Sequence, residues 1–511
     1  MKRAGLALLG TLVALASGPP LRAEDAPTKI DRLMTSYADA GRFNGTILVR
    51  QRGRTLYEKA FGLADRSWHQ PNTVDSKFLI GSVSKSATAL MVLILVKEGL
   101  IDLDANINTY IPRYEGPGKN RATIHQMLTH TSGIPNHGAI PDLSKKRVRW
   151  MYDSDAYVAL VKETAPKFEP GTGFEYSGIA YNLLAIACEK VTGQGFGELL
   201  KRRIFVPLGM KDSSLNGNLD LDAKRAYGYE YHLLEGYRLP SYISMDHCKG
   251  SGGILSTVED LARFNAECFD AQTLTSKALY ARMLTPHVKD WQQYGYGWWI
   301  DTVDVNGAKK TLISHGGSTD GYKAYSTRVV EDGVDVILLE NDYFRTDVGV
   351  KWTLDITNEV IDILAGKEVP DSKRSIARAV GLAIGQEGIE KALARLAELK
   401  KDRRYGIDAR DYRVLADELE KKHDRKPEAI RILDAGVADF PDDFPLNFRL
   451  AEALKTTDSV KARGLYERCV RLCKEGDRNG KYAEECRKAV EALSASGGAK
   501  GCTGRGAAAS R

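Results

Sequence analysis

Two stretches of this chain alternate apolar and polar residues about a turn, and they stand far apart. Residues 45–62 read GTILVRQRGRTLYEKAFG, with a turn at Arg52-Gly53. Residues 324–341 read AYSTRVVEDGVDVILLEN, with Asp332-Gly333 as the turn. A period of two broken by such dipeptides is the signature of a β-hairpin. The sequence between them carries helical patterns and many loops. Strands at both ends with helices between predict an α/β (α+β) domain: one antiparallel sheet closed by the two halves of the sequence, with a helical region inserted. A helix is expected over 28–40, and an amphipathic one over 348–364 that covers the sheet.

That domain does not account for 511 residues, a length that suggests roughly two to four domains. The start, MKRAGLALLGTLVALASGPPLRAED, has basic Lys2 and Arg3, an apolar run over 4–16, the breakers Gly18, Pro19 and Pro20, and small Ala23. This is the layout of a secretory signal peptide cleaved after Ala23. The run is shorter than the roughly 20 residues a membrane span needs. The expectation is an exported protein, periplasmic or secreted, without a membrane span. After AGKEVPDSK the pattern turns helical from 374 to about 495. Segments 412–441 and 447–472 look like copies: Leu415-Ala416 and Leu450-Ala451 are offset by 35 residues, Ala429 and Ala462 by 33. Helix pairs crossing at small residues with a period near 34 resemble tetratricopeptide repeats, with 383–399 a degenerate copy and GKYAEECRKAVEAL a capping helix. The boundaries read 1–23, 24–366, 374–495, and a low-complexity, disordered tail at 496–511.

Charge excludes one class of partner. The net charge is +6, but acids and bases are interspersed and no recognition motif is present, so no nucleic acid is expected. The seven cysteines include no CxxC pair, which argues against a zinc ribbon or a thioredoxin motif. Cys469 and Cys473 share a helix face, and either is placed to reach Cys486; Cys188 and Cys268 read as small buried residues.

The chemistry begins at IGSVSKSATALMVLILVKEGL, residues 80–100. Ser82 stands at a helix start and Lys85 one turn on, on the same face. The apolar run behind them predicts a buried helix, and burial lowers a lysine pKa, so the amine can take the serine proton. The helix N-terminus favours negative charge developing at the serine oxygen. By itself Ser-x-x-Lys also fits a helix cap followed by a surface lysine. Further stretches narrow it: Tyr176 in FEPGTGFEYSGIAYNLL, His315-Gly316-Gly317 in ISHGGSTDGY, and MLTHTSGIPN, IFVPLGMKDSSL, SGGILSTVEDLARF and YGYGWWI. In number and order these resemble the serine hydrolases of the class C β-lactamase, penicillin-binding protein and family VIII carboxylesterase superfamily, over about 30–364.

The resemblance implies Ser82 as the acylated nucleophile, Lys85 as its proton partner, and Tyr176 as the group that passes a proton to the leaving group and then activates water. It implies an oxyanion hole from the backbone N–H groups of Ser82 and Ser318, a substrate edge at His315, Gly316 and Gly317, and no metal or cofactor. His130 reads as structural. Two positions depart from the family pattern. Where the tyrosine motif carries Asn two residues on, this chain has Gly178, with Asn182 as a distant candidate to replace it. Where the strand motif carries Lys-Thr-Gly, it has His315-Gly316-Gly317, and a mostly neutral imidazole does not anchor a carboxylate as a lysine does. The expectation is therefore an ester, D-amino-acid amide or peptide, or β-lactam hydrolase, with the first two favoured over an efficient β-lactamase. The alternative is a catalytically weak penicillin-binding or sensing protein that uses its helical repeats to bind a protein partner. Loops 138–152 and 224–241 should shape the cleft. Tyr227, Tyr229, Tyr231, Tyr237 and Tyr242 either line it or pack.

Overall fold

The computed structural model describes residues 25–498 except 144–145, 218–220, 289–291, 345–351 and 474–479. The expected signal peptide, Cys502 and all but the first residues of the tail lie outside the described residues. The sheet has six strands: β1 (Gly45–Gln51), β2 (Arg54–Phe61), β3 (Trp299–Val305), β4 (Ala308–Thr319), β5 (Tyr322–Val329) and β6 (Val334–Glu340). Their order is β3-β4-β5-β6-β1-β2, every neighbour antiparallel. The two ends of the domain meet where β1 pairs with β6, from Gly45 opposite Glu340 to Gln51 opposite Val334. That seam is tight, since a Cβ at Gly45 would lie 1.9 Å from the Leu339 carbonyl oxygen.

Arg52 and Gly53 both take positive φ, 49° and 77°, the two-residue turn a right-twisted hairpin prefers. The second hairpin corrects the sequence expectation. Val329 pairs with Val334, so its loop is the four residues Val330–Gly333, and of its Asp332-Gly333 pair only Gly333 is left-handed. A third hairpin, β3 to β4, turns at Asn306-Gly307 with φ of 54° and 80°.

Each face of the sheet is covered. On one lie α1 (Ala26–Asp39), capped by Asp25, and α4 (Trp352–Leu364). Ile30, Leu33, Ile356 and Val360 pack there against Ile47, Val49, Val336 and Leu338. The other face, with Leu48, Ile337 and Leu339, meets the inserted helical region. At its centre is α2 (Ser84–Lys97), in which every residue from Ser84 to Leu95 is buried. A helix apolar on all sides is a core helix rather than a surface one. Beside it runs α3 (Gly178–Thr192), buried from Gly178 to Cys188 and ended by Gly193 in the left-handed conformation.

Beyond the sheet domain come antiparallel helices: α5 (Ile376–Glu387), then 389–399, 409–417, 426–439, 444–454, 459–472 and 480–498. Starts at 409 and 444, and at 426 and 459, keep the offsets of 35 and 33 read in the sequence. Helices 409–417 and 426–439 approach closely at Gly436, where a Cβ would lie 2.8 Å from that of Tyr412. The helical domain shares a core with the sheet domain, since Tyr231, Leu233 and Leu234 pack with Ile376, Val380 and Ile384. Gly385 brings α5 against the Leu234 carbonyl, 2.0 Å from where its Cβ would stand. Six cysteines are free thiols, and Cys469 and Cys486 touch across their helices. Among the described residues no helix is long and apolar enough to cross a membrane.

Ile337 is fully buried in the central strand β6. Ile337→Ala is expected to destabilise the domain by about 2–5 kcal/mol, seen as a lower urea midpoint at unchanged slope.

Candidate active site

Ser82 sits in the single 3-10 turn Gly81–Val83 that feeds α2. Gly81 takes φ of 50°, which aims the turn at the end of β4. A Cβ on Gly81 would lie 2.6 Å from the Ser318 nitrogen, and one on Gly317 would lie 1.9 Å from the Ile80 carbonyl oxygen and 3.1 Å from the Ser82 nitrogen. The two glycines thus let strand and turn touch, and bring the N–H groups of Ser82 and Ser318 to one place. Two preorganised backbone donors at the nucleophile suit an oxyanion.

The strand also supplies an open edge. β3 pairs with β4 only as far as Trp299 opposite Ser314, so His315–Thr319 are paired on the β5 side and run past the end of β3 on the other. A cavity of about 530 Å³ lies along that edge, bordered by Ser82, Tyr176, Trp299, His315, Gly316 and Ser318.

Lys85 is 2 % exposed. Its Nζ lies 2.9 Å from Ser82 Oγ and 2.8 Å from the Ser251 carbonyl, and sits 4.8 Å from the centre of the Tyr176 ring. The loop carrying Ser251 is pinned from both helices: Thr88 Oγ1 donates to the Gly250 carbonyl, the Ile254 N–H donates to Ser84 Oγ, and the Gly250 N–H donates to Asn182 Oδ1 at 3.0 Å. Asn182, fully buried, also donates to the His247 carbonyl. It therefore does not stand in for a side chain at 178; it holds the carbonyl that orients the lysine.

Burial lowers the Lys85 pKa to about 7, with Cys248 opposing weakly. The titratable groups around it carry no charge. Burial pushes the Cys248 thiol up to about 11. Burial, helped by Lys85, drops His137 to about 4 and His315 to about 3, and puts His130 well below its usual value. Burial raises Tyr176 and Tyr181, so both stay protonated. A neutral amine with one lone pair and two N–H bonds fits this arrangement: it accepts from Ser82 and donates to Ser251. Lys85 and Tyr176 are pushed apart from their ordinary order of use, the amine toward base and the phenol toward acid. Tyr176, whose phenol Ser82 acts on and which borders the same cavity, is placed to give a proton to a leaving group.

His130 grips the tyrosine loop. Its Nδ1 accepts from the Ser177 N–H at 3.0 Å, its carbonyl accepts from the Glu175 N–H, and its ring lies 4.4 Å from that of Tyr176. His315 is 1 % exposed. Its Nδ1–H donates to the Gly316 carbonyl at 2.7 Å, so its Nε2 accepts from Tyr294 Oη at 3.1 Å. Both ring nitrogens are engaged, and the imidazole meets a ligand as a neutral wall rather than as a cation. Gly316 and Gly317 leave the strand edge bare.

Loops 138–152 and 224–241 do shape the surroundings, through two further cavities of about 340 and 260 Å³. Of the five tyrosines, Tyr227 and Tyr242 line the smaller one. Tyr231 and Tyr237 instead pack at the helical domain, under the Arg378 guanidinium, and Tyr229 Oη accepts from the Arg66 N–H at 2.8 Å. Sequence reasoning missed Asn136 and His137. Asn136 Oδ1 accepts from the Gly178 N–H at 2.9 Å, and the His137 ring lies against the Gly178 Cα. The signal available was only that NHG continues the THTSGIPN stretch.

Because the working form of Lys85 is the neutral amine, serine acylation should rise with pH through about 7 and fall away below it, as the amine gains a proton. Lys85→Arg, which stays charged, should lower the acylation rate by about 10³-fold or more across that range, read by active-site titration.

The sequence pattern of the family described as Beta-lactamase matches residues 30–356. The chain is 27% identical over 327 residues to Penicillin-binding protein 4* of Bacillus subtilis (strain 168), covering 61% of this chain and 71% of that one. It is 26% identical to D-aminopeptidase of Brucella anthropi, over 58% of this chain and 56% of that protein. Among solved structures, a penicillin binding protein from Bacillus halodurans superposes with a TM-score of 0.54 at 26% identity, covering 65% of this chain and 97% of that one. D-amino acid amidase from Ochrobactrum anthropi SV3 shares the fold, with a TM-score of 0.57 at 23% identity over 67% of this chain and 99% of that one. With these likenesses joined to a Ser82–Lys85–Tyr176 cluster at a bare strand edge, the chain belongs to the Beta-lactamase family of serine hydrolases.

Proposed function

We propose that the protein is an exported hydrolase that works through an acyl-enzyme on Ser82, with esters and amides or peptides of D-amino acids as substrates in preference to β-lactams. The observation that carries this reading is the 2.9 Å contact between Ser82 Oγ and a buried Lys85 held near neutrality. In acylation Lys85 takes the Ser82 proton, Oγ bonds to the substrate carbonyl carbon, and the N–H groups of Ser82 and Ser318 hold the oxyanion. The tetrahedral species collapses as Tyr176 protonates the departing alcohol or amine, and Lys85 returns its proton to Tyr176. Water then attacks the ester carbonyl carbon, its proton going to Tyr176 as Tyr176 passes its own to Lys85, and the Lys85 ammonium returns that proton to Ser82 Oγ as the acid departs. The neutral His315 supports the substrate preference, because position 315 supplies no cation for a carboxylate; the cation that borders the cavity along this edge, Lys323, stands on the neighbouring strand opposite Ser318. The D-aminopeptidase and amidase likenesses point the same way. The signal-like start supports export. The stacked helix pairs over 374–495, spaced as tetratricopeptide repeats are, support a protein or peptide partner on the helical domain.

The test is turnover of a panel of p-nitrophenyl esters, D-amino-acid amides and benzylpenicillin, with intact mass followed in parallel. Ester or D-amide hydrolysis should be lost in Ser82→Ala and should fall about 10²–10⁴-fold in Tyr176→Phe. A long-lived Ser82 adduct of benzylpenicillin without turnover of any substrate would instead favour the penicillin-binding, sensing role. Hydrolysis that persists in Ser82→Ala would overturn both.

A further inference from the structure

Gly178 leaves a space beside the catalytic lysine, and the space is filled. A Cβ at 178 would stand 2.1 Å from His137 Cε1 and 2.5 Å from its Nδ1, so the imidazole occupies the volume where a side chain would begin. His137 reaches it from another element, the turn His137–Ala139, and Asn136 fixes that turn by accepting from both the His137 and the Gly178 N–H groups at 2.9 Å. His137 Nε2 is buried, and the His247 backbone is in reach of the ring. The ring also borders the cavity of about 340 Å³ whose other walls include Leu143, Val148, Ile243 and Cys248, with Arg149 and Asp320 on the same lining. Lys85 lowers the His137 pKa and Cys248 acts on Lys85, so this cavity adjoins the catalytic centre.

We propose that His137 is a positioning and specificity-determining residue: its ring is the partition between Lys85 and this cavity, and it both keeps water from the amine and limits the length of acyl group the site accepts. The inference rests on the reading of Ser82 as the acylated group, but not on which substrate is physiological. The groups facing Lys85 are Tyr176, Tyr181, Cys248, His130, His315 and His137, all neutral, and Arg149 and Asp320 stand on the lining of the cavity beyond the ring, so removing the ring opens the amine to that cavity and its solvent. Water admitted beside the ammonium stabilises it and raises its pKa.

The experiment compares the full chain with His137→Ala, Gly178→Ala and the double variant, each checked for an unchanged melting transition. The readouts are kcat/KM for p-nitrophenyl acetate and hexanoate and the pH profile of the acetate. In His137→Ala the hexanoate-to-acetate ratio should rise about tenfold or more, as the cavity opens to the centre. The limb controlled by Lys85 should move to higher pH by about half a unit or more. Gly178→Ala alone should lose about 10²-fold, through displacement of the ring and its turn, and His137→Ala should restore it. His137→Asn, which refills part of the space, should fall between in the chain-length ratio. A Gly178→Ala enzyme as active as the parent, or a His137→Ala enzyme with the parent's ratio and pH limb, would overturn the proposal. If no variant and no parent enzyme hydrolyses either ester, the same profiles are read from the Ser82 labelling rates of two fluorophosphonates, one with a short and one with a long alkyl chain. Absence of labelling in the parent would then sink the acyl-enzyme reading itself.

Discussion

Everything at the centre of this molecule depends on burying one amine without a counter-ion. Taking a charge out of water is costly, and a buried lysine meets that cost by giving up its proton. Here the burial comes from α2, which is apolar on all sides and packed against α3 at the centre of the inserted helical region. The polar groups within reach are spent elsewhere in hydrogen bonds or held neutral. The same packing that makes α2 the core of the domain thus makes Lys85 a base at physiological pH, and the serine one turn earlier becomes useful for that reason. Fold stability and reactivity are properties of one helix.

Around that helix, apart from the Tyr176 phenol, the remaining parts bring backbone rather than side chains to the reaction. Gly81 and Gly317 bring two N–H groups together, and the overhang of β4 beyond β3 supplies an edge. The loop pinned by Thr88 and Asn182 offers one carbonyl. The helical domain joins this arrangement at a distance. It packs against Leu233 and Leu234, and the chain that follows, Leu239 to Ile243, lines the two cavities next to the centre.

Local features were legible in the sequence, and of the long-range ones the closing of the sheet was. The hairpin at Arg52-Gly53, the helix start at Ser82 and the position of Lys85 all follow from residues within one turn of one another. The pairing of β1 with β6 follows instead from two distant hairpins that each need a partner. The Asn306-Gly307 turn carries a strong short hairpin signal, masked by the mixed polarity of its strand Trp299–Val305. At Val330–Gly333 the Asp-Gly pair favours a two-residue turn, whereas the β5–β6 register sets a four-residue loop. The roles of Asn182, His137, Tyr231 and Tyr237 could not be read at all. Each is decided by a contact with another part of the fold: Asn182 with the loop after Cys248, His137 with α3, and the two tyrosines with Arg378.

The overhang of β4 has one more consequence. A strand edge has a direction, and a peptide-like substrate that pairs with it is held as an additional antiparallel strand. Once the direction is set, successive substituents of the bound chain point alternately to the two sides of the sheet. The substituent on the carbon next to the scissile carbonyl then goes either into the space over α2 or out toward α4, and mirror-image substrates exchange the two. For a chain paired on such an edge, handedness decides which of the two sides a substituent takes.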